Sequence, residues 1–172
     1  TSTDVTGRKE MEMQLSESRT LLAALINSTS DMIWSVDSER FGLLTFNRGL
    51  SDYFLAQRGI RIETGMRPED LFPPGDFVAA WRTFYRKALE EGSYTTEYRV
   101  YAGTRTLLLS LNRLERDGEV FGVSVFGKDI SESKALESRL RESEERLSLA
   151  AASAAARLWE VDLGTGNIWV TE

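Results

Sequence analysis

No histidine and no cysteine occurs anywhere in the sequence. Those two absences remove the thiolate and imidazole ligands of most metal and haem sites, and the thiol nucleophile with them. They also remove the commonest general acid–base group and any phosphoaccepting histidine within this stretch. A disulfide framework is excluded on the same ground. The chemistry left lies in 27 carboxylates, most of them in runs such as ESEER and RKEMEMQ that read as solvated helix faces. No two stand out on one scaffold as an acid and its base. No G-x-x-x-x-G-K-[ST] loop is present to cradle a phosphate. The residues point to a module that binds or pairs, and not to an enzyme.

The net charge of -6 argues against phosphate-based contact with DNA or RNA, which needs a basic surface. It equally disfavours an anionic membrane surface. No run approaches the roughly 20 apolar residues of a membrane span, and the opening TSTDVTGRKEMEMQ is too polar for a secretory signal. The expectation is a cytoplasmic chain with no nucleic-acid partner and no direct membrane insertion. With 172 residues, one domain plus extensions is the natural reading.

The elements repeat. Asp4-Val5-Thr6-Gly7-Arg8-Lys9 aligns with Asp129-Ile130-Ser131-Glu132-Ser133-Lys134 at an offset of 125 residues. The same offset pairs Met11 with Leu136, Leu15 with Leu140, Leu22 with Leu147, and Trp34-Ser35-Val36-Asp37 with Trp159-Glu160-Val161-Asp162. A register held without a gap from a D-[IV]-[ST] element to a W-x-V-D element signals an array of like modules. Residues 1–30 are then the tail of a preceding module and a linker helix. Residues 31–131 form the complete module and 132–157 a second linker helix. Residues 158–172 are the first strands of a following module, a hairpin that would be marginal alone.

Both linkers carry an apolar seam. Met11, Leu15, Leu22 and Leu25 fall on alternating four- and three-residue steps, and Leu136, Leu140 and Leu147 do the same. This is the a/d pattern of a short coiled coil. Ser18 and Ser143 occupy matching seam positions and weaken it. For the first linker, a single amphipathic helix folded back on its own domain is the alternative.

Within the complete module, Asp31–Asp37 and Leu43–Phe46 read as a strand hairpin. Asn47 stands where a helix N-cap belongs. Pro68, Pro73 and Pro74 mark a stretch of loop and short turns. Asp76 can cap a longer helix with Phe77, Val78, Trp81, Tyr85, Ala88 and Leu89 on one face, stopped by Gly92. Three strands follow, Tyr94–Tyr101, Thr106–Leu114 and Val120–Lys128, the last two joined by Asp117-Gly118, a strong hairpin signal. The fold class is α+β: a five-stranded antiparallel sheet with helices on one face, flanked by N- and C-terminal linker helices.

The opening DMIWSVDSERFGLLTFN, the helix DFVAAWRTFYRKALEEG, the strand TTEYRV and the ending GVSVFGKDISESKALE together resemble the PAS fold with its PAC ending. The segment LWEVDLGTGNIWVTE resembles the start of another such module. The resemblance implies a sensor or interaction module of a bacterial multi-PAS signalling protein, upstream of a histidine kinase phosphorelay or a cyclic-dinucleotide enzyme in the same parent chain. It further implies a small pocket between the inner sheet face and the helices, and a homodimer formed through flanking helices.

Alternation along the strands then turns Trp34, Val36, Tyr98, Val100, Leu107, Leu109, Leu111, Val123, Val125 and Gly127 inward, and Phe126 outward. Candidate pocket residues are Trp34, Val36, Phe46, Phe77, Trp81, Tyr98, Val100, Leu109, Val125 and Gly127. The competing role for each is plain core filling. Light-sensing relatives with a flavinyl-cysteine bond are excluded by the missing cysteine, and histidine-ligated haem by the missing histidine. Gly127 stands where light-sensing relatives place an amide against the flavin. A non-covalent flavin or a small apolar or aromatic ligand remains. Asp129, Ile130 and Ser131 form the junction through which the family passes its signal, with Asp129 able to cap the exit helix. The alternative to sensing is a ligand-free spacer that serves only in protein–protein dimerisation.

Overall fold

The computed structural model describes residues 2–100 and 103–165, with side chains over 3–100 and 103–159. The chain divides into two units whose boundary falls between Asp129 and Ile130.

The first unit opens with helix α1 (Ser2–Asn27). It continues with strands β1 (Met32–Asp37) and β2 (Leu43–Phe46), then helices α2 (Arg48–Arg58), α3 (Pro68–Leu71) and α4 (Asp76–Glu91). Strands β3 (Tyr94–Val100), β4 (Arg105–Arg116) and β5 (Glu119–Asp129) complete it. The five strands form one antiparallel sheet in the order β2-β1-β5-β4-β3. The two opening strands therefore meet the closing three through β1 and β5, whose register sets Trp34 opposite Val125 and Val36 opposite Val123. The expected α+β architecture is the one observed.

Alternation decides which side chains go inside. Trp34, Val36, Leu107, Leu109, Leu111, Val123 and Val125 are buried on one face, under α2 and α4. Each is worth roughly 1.5–3 kcal/mol when fully withdrawn from water, so this face anchors the module. Phe126, on the opposite face, stays 47% exposed. Asp117 (φ 53°) and Gly118 (φ 79°) form the turn between β4 and β5, the left-handed pair that matches strand twist. Tyr101, the expected end of the strand, and Ala102, in the expected turn before β4, lie outside the described residues.

Asn47 ties three elements together. It is 1% exposed, and its Oδ1 accepts from the N–H of Leu50 at 3.1 Å and of Ile33 at 2.9 Å. Its Nδ2 donates to the carbonyls of Ile26 and Asp31, both at 2.8 Å. The expected cap of α2 thus also fixes the end of α1 and the start of β1. Arg48 N–H donates to Asn27 Oδ1 at 2.6 Å beside it.

Two local expectations are corrected. Asp76 is the first residue of α4 and not its cap; Gly75 occupies the cap position at φ 132° without a side-chain bond. A carboxylate in the first turn still faces the positive end of the helix. Residues 2–7 belong to α1. In the second unit, helix α5 (Ser131–Thr165) runs through residues 158–165, which were expected to open a strand. A helix satisfies its backbone hydrogen bonds within its own segment and needs no partner strand. The remainder of the expected hairpin, 166–172, lies outside the described residues.

Candidate functional site: an aromatic cavity under the sheet

Between the inner sheet face and helices α2, α3 and α4 lies a cavity of about 210 Å³. Trp34 and Val36 on β1, Tyr98 and Val100 on β3, and Phe77 and Trp81 on α4 line it, as the strand alternation and helix face require. Phe46, Leu109, Val125 and Gly127 are not among its walls. Leu109 and Val125 are buried completely in the packed middle of the sheet. Phe46 ends the edge strand β2 beside the Asn47 cap. At Gly127 an added Cβ would meet Leu109 Cδ2 and Trp34 Cζ3, each at 3.4 Å. Gly127 lines instead a more open recess that also includes Arg105 and Asp129.

Other walls were not singled out in the sequence. Phe41 lies in the β1–β2 turn with φ 60°, a strained setting for a bulky residue, and its ring packs on Tyr85 at 5.3 Å between centroids. The turn is held by Asp37, whose carboxylate accepts from the N–H groups of Glu39, Arg40 and Gly42 at 2.9, 2.7 and 2.7 Å. Gly42 is required there, because a Cβ would stand 2.9 Å from Asp37 Oδ2 and 3.1 Å from the carbonyl oxygen of Gly65. Phe72, which follows α3, stacks on Trp81 at 6.1 Å and on Phe77 at 6.3 Å. Arg58, in the last turn of α2, lies over the Phe72 ring at 4.8 Å and within 5.9 Å of Phe77. Phe77 is 44% exposed, so this group forms the mouth.

The polar groups of the cavity are few. Trp34 Nε1 donates to the Tyr85 hydroxyl at 3.0 Å. Complete burial pushes the Tyr85 phenol far above its ordinary pKa and keeps it protonated. Burial also raises Tyr98, against the opposing effects of the nearby Trp81 indole and the Arg58 charge. Trp81 Nε1 is buried and has no hydrogen-bond partner among the described residues. No group of three or more carboxylates that could hold a metal ion is found among the described residues.

At the junction after the sheet, Asp129 ends β5. Arg105 grips its carboxylate with Nη2 at 2.8 Å and Nε at 3.0 Å. Ser131 is the first residue of α5, and Ile130 supplies the carbonyl that accepts from Lys134 N–H at 2.9 Å. The seam residues lie on α1 and α5 and are exposed, from Met11 at 73% to Leu15, Leu22, Leu25, Leu136, Leu140 and Leu147.

No family model matches the sequence, and no curated protein matches it. Among solved structures, the chain is similar to the PAS domain of BvgS from Bordetella pertussis, at 21% identity and a TM-score of 0.50, over 76% of this chain and 98% of that one. It is also similar to an RNA-binding light-oxygen-voltage receptor, at 16% identity and a TM-score of 0.50, over 74% of this chain and 37% of that one. A sensory box sensor histidine kinase from Vibrio cholerae matches at 20% identity and a TM-score of 0.45, over 69% of this chain and 93% of that one. Likeness at these identities is likeness of fold, and with the β2-β1-β5-β4-β3 sheet and its covering helices on the page, the chain adopts the PAS fold.

Proposed function

We propose that the chain is a sensory module that holds a small molecule in the cavity beneath its sheet and relays occupancy through α1 and α5. The observation that carries this reading is the cavity itself. A spacer has no use for about 210 Å³ of space walled by aromatic rings, since an interior is normally packed to the density of an organic crystal. The volume is below the roughly 300–1,000 Å³ of sites for drug-sized ligands, which favours a small aromatic or apolar molecule over a flavin.

The exposed seam of α1 and α5 supports a homodimer, because an apolar row on a long helix is usually covered by another helix. Asp129, Ile130 and Ser131 stand at the boundary between the sheet unit and the exit helix, where strain from the sheet would enter α5. The output is proposed to lie in the same parent chain, as a histidine kinase phosphorelay or a cyclic-dinucleotide enzyme. The module itself is proposed to carry out no catalysis, to bind no nucleic acid and to work in the cytoplasm. Among the described residues no helix is long and apolar enough to cross a membrane.

Native mass spectrometry of the purified chain, set against its denatured mass, tests this reading. A dimer carrying a small extra mass that is lost on denaturation is the expected result. A monomer with the bare chain mass, unable to take up any small aromatic added to it, would overturn it.

A further inference from the structure

The cavity walls present hydrogen-bond donors and one positive charge, and no carboxylate or amide side chain. Trp81 is 5% exposed, and its Nε1–H has no acceptor among the described residues. A buried donor left unpaired is costly, so this side of the cavity is set up to receive an acceptor. Arg58 has no carboxylate partner among the described residues; its guanidinium rests on the Phe72 ring. Tyr98 joins the two: its ring lies 5.2 Å from Trp81, and the Arg58 charge acts on its phenol. Three donors therefore line the one cavity. Trp34, Phe41 and Tyr85 form the adjoining wall, Trp34 and Tyr85 packing on Trp81 at 5.6 and 5.8 Å, with the Tyr85 oxygen occupied by Trp34.

Size restricts what fits. An apolar cavity of about 150 Å³ accepts benzene, and this one is larger by little more than a short tail. We infer that the cavity takes a single-ring aromatic carboxylic acid, its ring among Trp34, Phe41 and Tyr85 and its carboxylate against Trp81 Nε1, Tyr98 and Arg58. The inference rests on the proposed ligand-holding role and adds the chemical class. A carboxylate satisfies Trp81 and neutralises Arg58 at once. A neutral ring satisfies neither, and a cationic amine would face Arg58 as a like charge.

Calorimetric titration of the exhaustively dialysed full chain with phenylacetate, toluene and benzylamine tests it. Phenylacetate is expected to bind about tenfold or more tighter than toluene, the scale of one charge-assisted hydrogen bond, and benzylamine to bind weakest. Arg58→Gln should remove most of that gap while leaving toluene unchanged, because Arg58 sits at the half-exposed mouth and its loss does not disturb the core. Arg58→Lys should restore part of it. In NMR spectra the indole N–H resonance that disappears in Trp81→Phe should move downfield with phenylacetate and not with toluene. Equal affinity for phenylacetate and toluene, or an Arg58→Gln chain that still prefers the acid, would overturn the carboxylate assignment and leave the pocket standing. Binding of none of the three would overturn the pocket as well.

Discussion

Trp34 and Tyr85, 51 residues apart in the chain, are joined by a buried hydrogen bond from the indole Nε1 to the phenol oxygen at 3.0 Å. The bond fixes β1 against α4 and joins two lining residues of the cavity. It also explains how a large tryptophan can stand on the inner face of the sheet without leaving a polar atom unpaired.

Tyr85→Phe removes the acceptor and strands the Trp34 N–H, so it is expected to destabilise the chain by about 1–3 kcal/mol in urea unfolding. Trp34→Phe in the same background should cost less than the two single losses added together, because the donor goes with its acceptor. Strict additivity would mean that the bond contributes nothing.

Asn47→Ala strips the N–H groups of Ile33 and Leu50 and the carbonyls of Ile26 and Asp31 of their partner in one step. The expected loss is about 3 kcal/mol or more, beyond the ~1 kcal/mol typical of an N-cap alone. Asn47→Asp keeps both acceptor roles and loses both donors, and its unfolding midpoint should fall between those of the wild type and Asn47→Ala.

Burial alone would raise the Asp37 carboxyl, but the N–H groups of Arg40, Gly42 and Glu39 more than reverse this and leave it below its ordinary value of 3.8. A carboxyl depressed on folding stabilises the fold above its unfolded pKa, and that contribution is lost as pH falls through the folded value. Stability should therefore decline from about pH 5 toward about pH 2. Asp37→Asn should lower stability at neutral pH and flatten that acid slope. An unchanged slope would show that the turn does not depend on the charge.

Gly127→Ala should shift stability by less than about 1 kcal/mol, since its methyl group would meet Leu109 and Trp34 at ordinary contact distance. Gly127→Leu should cost about 1–3 kcal/mol through overpacking. Thermal melts of the two variants separate a filled site from the open one that small residues allow.

Leu15→Glu and Leu140→Glu place charge in the exposed seams of α1 and α5. Each should shift the proposed dimer toward monomer in sedimentation velocity without changing the melting of the sheet unit. A wild-type chain that is monomeric at all concentrations would remove the coiled coil from the reading.

The strands, the Asn47 cap, the Gly92 stop and the Asp117-Gly118 turn were legible because each rests on local chemistry or on alternation. Alternation also separated Val125 from Phe126 correctly, yet it names a face and not a depth. Leu109 and Val125 point inward but lie beneath the packed wall, while Val100 and Trp34 on the same face reach the cavity. Phe41 was hidden because a single residue at φ 60° in a turn leaves no pattern. Tyr85 was placed on the right helix face, but its bond to Trp34 is a tertiary fact. Arg58 at the cavity mouth and the grip of Arg105 on Asp129 depend on how long side chains lie across neighbouring elements, which spacing alone does not encode.

Hydrogen exchange read by mass spectrometry, with and without phenylacetate at a concentration that calorimetry shows to be saturating, tests most directly whether cavity occupancy reaches the helices. The expected result is slower exchange in β1, β3 and α4 together with a change in residues 131–157 of α5. Protection confined to the cavity walls, with α5 exchanging identically in both states, would contradict the relay and leave a binding domain that does not signal through its exit helix.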